Sequence, residues 1–165
     1  MLYMKITICR VLLAALSLAA AACAGQNPEA ILTSADDALS VGDYRSAQSL
    51  CDNLSEISRN DSLAMRSKQY CRLAIIYMTL AEHQSESDKS ADDNIAAASA
   101  MFNCAINISA DSVQEFLHSL PPEESGHAEL LLQLSEAAQA RDKIYMEIQE
   151  NDSIQSPDHS HSHEI

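Results

Sequence analysis

The stretch Tyr70-Cys71-Arg72-Leu73-Ala74-Ile75-Ile76-Tyr77-Met78-Thr79-Leu80-Ala81 decides the fold class. Tyr70, Leu73, Ala74, Tyr77 and Ala81 recur at intervals of three and four, which lines them along one face of a helix. The pattern extends back to Leu63 and predicts a helix that begins after Asp61. Beyond it, residues 82–93 carry no apolar face and are read as a polar loop. Working upstream, Tyr44, Ala47, Leu50, Cys51, Leu54 and Ile57 form a second helical face, closed off in front by Gly42-Asp43. Ahead of that turn, Asn27-Pro28-Glu29 is a helix start. Asn accepts amide hydrogen bonds, Pro suits the first turn, and Glu meets the positive end of the dipole. Ile31, Ala35, Ala38 and Leu39 carry that helix.

Downstream, Ile95, Ala98, Met101, Phe102, Ala105 and Ile106 predict a fourth helix. Ser112-x-x-Glu115 has the form of a capping box and predicts a short fifth helix from Ser112 to about Leu120. Pro121-Pro122 stops it. The last helix is expected from Glu123 or Ser125 to Gln149, on Leu130, Leu131, Leu134, Ala137, Ala138, Ile144, Tyr145 and Ile148. Residues 150–165 read as a disordered tail. The whole is all-α, with antiparallel helix pairs and a C-terminal capping helix.

Composition agrees. Three Gly, four Pro, two Phe and no Trp leave little for a turn-rich β fold. Ten basic against 24 acidic residues give a net charge of −14, which argues against a nucleic-acid or anionic-membrane surface.

Residues 1–22 are set aside as a targeting segment. Lys5 and Arg10 precede an apolar run, Val11 to Ala22, of 12 residues. A membrane span needs about 20. Ala21-Ala22-Cys23 resembles the lipobox of bacterial lipoproteins, although Ala20 stands where Leu is usual. The resemblance implies that Cys23 carries diacylglycerol and an N-acyl group, and that residues 23–27 are a tether. The alternative is cleavage after Ala22 and secretion into the periplasm. Asp does not follow Cys23, so nothing argues for inner-membrane retention, and an outer-membrane address is expected. Without the leader the chain has 8 basic and 24 acidic residues, a net of −16.

Tyr70-x-x-Leu73-Ala74-x-x-Tyr77 resembles the first helix of a tetratricopeptide repeat, and Ala98-x-x-x-Phe102-x-x-Ala105 the second. Gly42-Asp43-Tyr44-x-x-Ala47 is a weaker copy of the turn and second helix. Ala47 and Ala98 lie 51 residues apart, against an ordinary period of about 34. The polar loop and residues 58–62 absorb the excess. The resemblance covers residues 28–108 and implies a short stack of helix pairs, with residues 112–149 as its cap. A generic antiparallel bundle is the alternative.

Motifs for chemistry are absent: no P-loop, no Gly-x-Ser-x-Gly, no His-Glu-x-x-His and no paired-Cys zinc motif. No cofactor is implied. His83, His118 and His127 read as solvated loop histidines. Cys51, Cys71 and Cys104 fall on core positions, where a buried reduced thiol acts as a small hydrophobe; one disulfide among the three remains open. His159, His161 and His163 alternate in the tail and form a candidate metal site. Asp61-Ser62-Leu63, Asp111-Ser112-Val113 and Asp152-Ser153-Ile154 resemble the O-glycosylation motif of exported Bacteroidetes proteins, which makes Ser62, Ser112 and Ser153 candidate acceptors. Together these features point to a non-enzymatic envelope lipoprotein that binds another envelope protein or peptide. The alternative is a metal-sequestering protein that uses the tail.

Overall fold

The computed structural model describes residues 27–60, 64–83 and 89–154, with the side chains of 150–154 outside that description. Six α-helices pack against one another, and no strand occurs among the described residues. They are α1 (Pro28–Ser40), α2 (Tyr44–Arg59), α3 (Ser67–Glu82), α4 (Ala91–Ile108), α5 (Ala110–His118) and α6 (Ser125–Ile154). A single 3-10 turn, Pro122–Glu124, leads into α6.

The quoted stretch is the central helix. Leu73 through Met78 are all buried, so α3 has no solvated face along its middle turns. It pairs most extensively with α4, through Ala98, Met101, Phe102 and Ala105. α1 and α3 pack together, as do α3 and α5, while α1 folds back on α2. The return between α1 and α2 needs Gly42, whose φ of +76° lies in the left-handed region. Asn27 caps α1 as expected, its side-chain oxygen accepting from the Glu29 amide at 3.1 Å. Asp43 caps α2, accepting from the Ser46 amide at 3.1 Å. Hydrogen bonding from the Ser46 hydroxyl, and then from that amide, holds the Asp43 carboxyl below its ordinary value.

Four boundaries differ from the expectation. α3 starts at Ser67, because the Gln69 side chain accepts from the Arg66 amide at 2.9 Å and closes the first turn there. Residues 61–63 lie outside the described residues. Ala91 to Asp93 belong to α4 and not to the preceding loop: the Ser90 hydroxyl accepts from the Asp93 amide at 3.2 Å. α5 begins two residues earlier than its apparent capping box. The cap is Ser109, which accepts from the Ser112 amide, and Glu115 pairs with Lys68 instead of reaching back. Finally, α6 runs on to Ile154, so residues 150–154 are helix and not tail.

Candidate functional site

A groove of about 580 Å3 has walls from α1, α3 and α5 and the segment entering α3. Leu32 on α1 and Phe116 on α5 supply apolar surface. Arg66, Lys68 and Arg72 line it too, three of the eight bases that follow Cys23, against Glu29 and Asp36. With Glu115 and Glu124, which pair with Lys68 and Arg72, the three bases face four carboxylates, so charge at the groove is nearly balanced within a strongly acidic chain.

Arg72 organises its floor. The guanidinium donates to both oxygens of Asp36 on α1, with contacts of 2.6 to 3.1 Å. Its Nη1 donates to both oxygens of Glu124 at 2.7 Å. Burial alone would lower the Arg72 pKa, but the hydrogen bonds it donates to Asp36 and Glu124 outweigh it and the net shift is upward. One side chain thus ties α1, α3 and the 3-10 turn together. The rim is looser: Lys68 meets Glu115 at 2.8 Å and Arg66 meets Glu29 at 3.6 Å, all well exposed. Such rim pairs are weak and free to exchange partners.

Two smaller clusters lie elsewhere. Asp52 on α2 accepts from the Tyr77 hydroxyl at 2.9 Å, from Lys89 at 2.7 Å and from Gln48 at 3.1 Å. Burial, then the Asp52 carboxylate, pushes the Tyr77 phenol upward, so it stays a neutral donor. Separately, His127 Nε2 lies 3.0 Å from Glu82, beside an open cleft of about 440 Å3.

Every repeat-type position lies in or against the core. Ala47, Leu73, Ala74, Tyr77, Ala98, Phe102 and Ala105 are buried, while Tyr44 and Tyr70 are half-buried. Cys51, Cys71 and Cys104 are unbridged. Cys51 and Cys71 are buried, and Cys104 is half-buried. Burial pushes the Cys71 thiol up to about 12 and the Cys51 thiol higher still, which makes both poor nucleophiles. Two histidines are not the solvated loop residues expected. His127 sits in the first turn of α6 with its ring mostly covered. His83 stacks on Tyr44, ring centroids 4.2 Å apart. His118 is exposed at the end of α5.

Ser112 is half-buried on the groove wall and its oxygen accepts from the Ser109 hydroxyl at 3.0 Å. Ser153 falls in the last turn of α6. Cys23, Ser62, His159, His161 and His163 lie outside the described residues. Among the described residues, no group of three or more His, Cys, Asp or Glu is arranged to hold a metal ion. No helix among them is long and apolar enough to cross a membrane. The Arg72 network was not read from the sequence. Its one signal is a single charge inside an otherwise apolar run, Cys71-Arg72-Leu73. Comparisons with protein-family models, curated proteins and solved structures return no match.

Proposed function

We propose that this protein is a small envelope lipoprotein, anchored through Cys23, that works as a non-catalytic docking module. Its ligand is an extended segment or helix of another envelope protein, held in the groove between α1, α3 and α5. The carrying observation is the groove itself: about 580 Å3 of concave surface built on alternate helices of the chain. Stacked helix pairs generate such concave faces, and concave helical faces take peptides and partner helices. Two features support a binding role over catalysis. The groove combines apolar surface from Leu32 and Phe116 with the charged side chains of Arg66 and Lys68. The buried thiols are held protonated, away from nucleophilic work.

Arg66 and Lys68, whose exposed pairs can exchange partners, suit a ligand with an acidic residue beside an apolar anchor. The overall charge would favour the reverse, but partners are selected by the surface they touch. The outer membrane is the expected site, on the absence of Asp after Cys23. A photo-crosslinking residue at Thr33, in the groove wall, tests the reading in intact envelopes. One stoichiometric adduct is expected, and it should weaken at least tenfold in the double variant Arg66→Glu with Lys68→Glu. No adduct, or an adduct indifferent to that reversal, would sink the reading.

A further inference from the structure

Contacts between helix ends fix which ends lie together. Gln69 Nε2 donates to Glu29 at 3.1 Å, which sets the start of α3 beside the start of α1. The Ser67 hydroxyl donates to the carbonyls of Ala105 and Ser109 at 3.0 and 3.2 Å, so the end of α4 shares that level. α6 starts at the far end, where His127 meets Glu82, and runs back alongside α4. The Ser135 hydroxyl donates to Asn103 at 2.9 Å, five residues before α4 ends. Ala140 therefore draws level with Ile108. Beyond it, about 14 residues of α6, roughly 21 Å at the helical rise, project past the body. From Gln139 to Gln149 every residue is exposed. Among them stand Ile144, Tyr145, Met146 and Ile148, exposed by 57, 60, 69 and 51 %. Ile144, Tyr145 and Ile148 share one stripe with Arg141. A short isolated helix is marginal by itself.

We propose that this projecting end of α6 lies on the lipid bilayer that holds Cys23, with Ile144, Tyr145 and Ile148 entering the headgroup boundary. The inference rests on the lipid-anchor reading. Cys23 is four residues from Asn27, at the same end of the body, so the tether spans at most about 14 Å. The projection is longer than the tether, so a body held at Cys23 brings α6 to the membrane surface. Ile144 to Ile148 stand roughly 6 to 12 Å beyond Ile108, within that reach. A helix lying in the interface buries its apolar face by roughly 5 to 10 Å. Tyr and the long stems of Arg141 and Lys143 suit that boundary. Along the stripe, from Gln139 to Gln149, Arg141 and Lys143 balance Asp142 and Glu147, while Glu150 and Asp152 beyond it bring the whole projection to −2, far less acidic than the mature chain. A second copy fits the stripe less well. Two acidic chains repel, and Arg141 heads the stripe, where a parallel helix pair would oppose two guanidiniums.

The chain contains no Trp, so a single introduced indole reports cleanly. The full-length acylated protein carrying Tyr145→Trp is reconstituted into phosphatidylcholine vesicles, with Val41→Trp, exposed at the far end of α1, as the control. Intact mass first establishes the acyl groups. The expected result is blue-shifted emission at position 145 and quenching by brominated lipid at least threefold stronger than at position 41. Acylated protein with equal quenching at both positions overturns this inference alone and leaves the docking groove standing. Absence of acyl mass overturns the anchor and this inference with it. Blue-shifted emission in vesicle-free solution, with a doubled mass by light scattering, assigns the stripe to a second copy and also overturns it.

Discussion

Replacing Arg72 by Met removes the one cation that joins α1, α3 and the 3-10 turn while keeping most of the apolar stem. Five nitrogen–oxygen contacts of 2.6 to 3.1 Å disappear. Asp36 and Glu124 are left facing each other's region with side chains 33 and 18 % exposed. Stripping one partner from a fully buried ion pair costs about 3 to 5 kcal/mol, whereas exposed pairs contribute about 0 to 1. Arg72 is 27 % exposed, so water screens part of the effect, and about 2 to 3 kcal/mol is the expected loss. For a chain of this size that lowers Tm by roughly 6 to 15 °C. Urea unfolding followed by far-UV circular dichroism measures it. A second arm, Asp36→Asn alone and combined with Arg72→Met, should return a coupling of at least about 1 kcal/mol. A loss below about 0.5 kcal/mol would refute the reasoning, because it would mean that the network is screened like a surface pair.

Three further outcomes are expected. Phe102→Ala, at a fully buried site against α3, should cost about 3 to 5 kcal/mol in the same assay. Asn94→Leu should stabilise the fold by about 1 kcal/mol, because both amide atoms of Asn94 are buried without a hydrogen-bond partner; no gain would mean that a buried water satisfies them. Cys51, Cys71 and Tyr77 hold their protons more tightly folded than unfolded, so stability should fall as pH rises from about 9, the ordinary thiol value, toward 12. Urea midpoints from pH 8 to 11 check this, and a flat profile would contradict it.

The helical class and the core were legible because they depend on local spacing. Tyr70, Leu73, Ala74 and Tyr77 sit where their period puts them, and Asn27 and Gly42 act through their own backbone and side-chain chemistry. Boundaries that depend on a choice between neighbouring caps were less legible. Ser109 and Ser112 both have the right side chain, and the hydroxyl of Ser67 on α3 decides nothing in sequence although it binds the carbonyl of Ser109 in space. The groove was illegible for the same reason. Arg72 finds Asp36 and Glu124 across 36 and 52 residues, and no pattern in one chain announces that pairing. The last helix misled in a different way. Its apolar set reads as one stripe, but the body takes Ala128 and Leu131 and leaves Ile144, Tyr145 and Ile148 outside.

Hydrogen exchange in the native envelope, compared with the purified protein, tests the docking claim most directly. Occupation of the groove predicts slower exchange in residues 29–36 of α1 and 112–116 of α5, the outer groove walls, with the exposed face of α2 unchanged. Equal exchange in both preparations, or protection confined to α2, would contradict it.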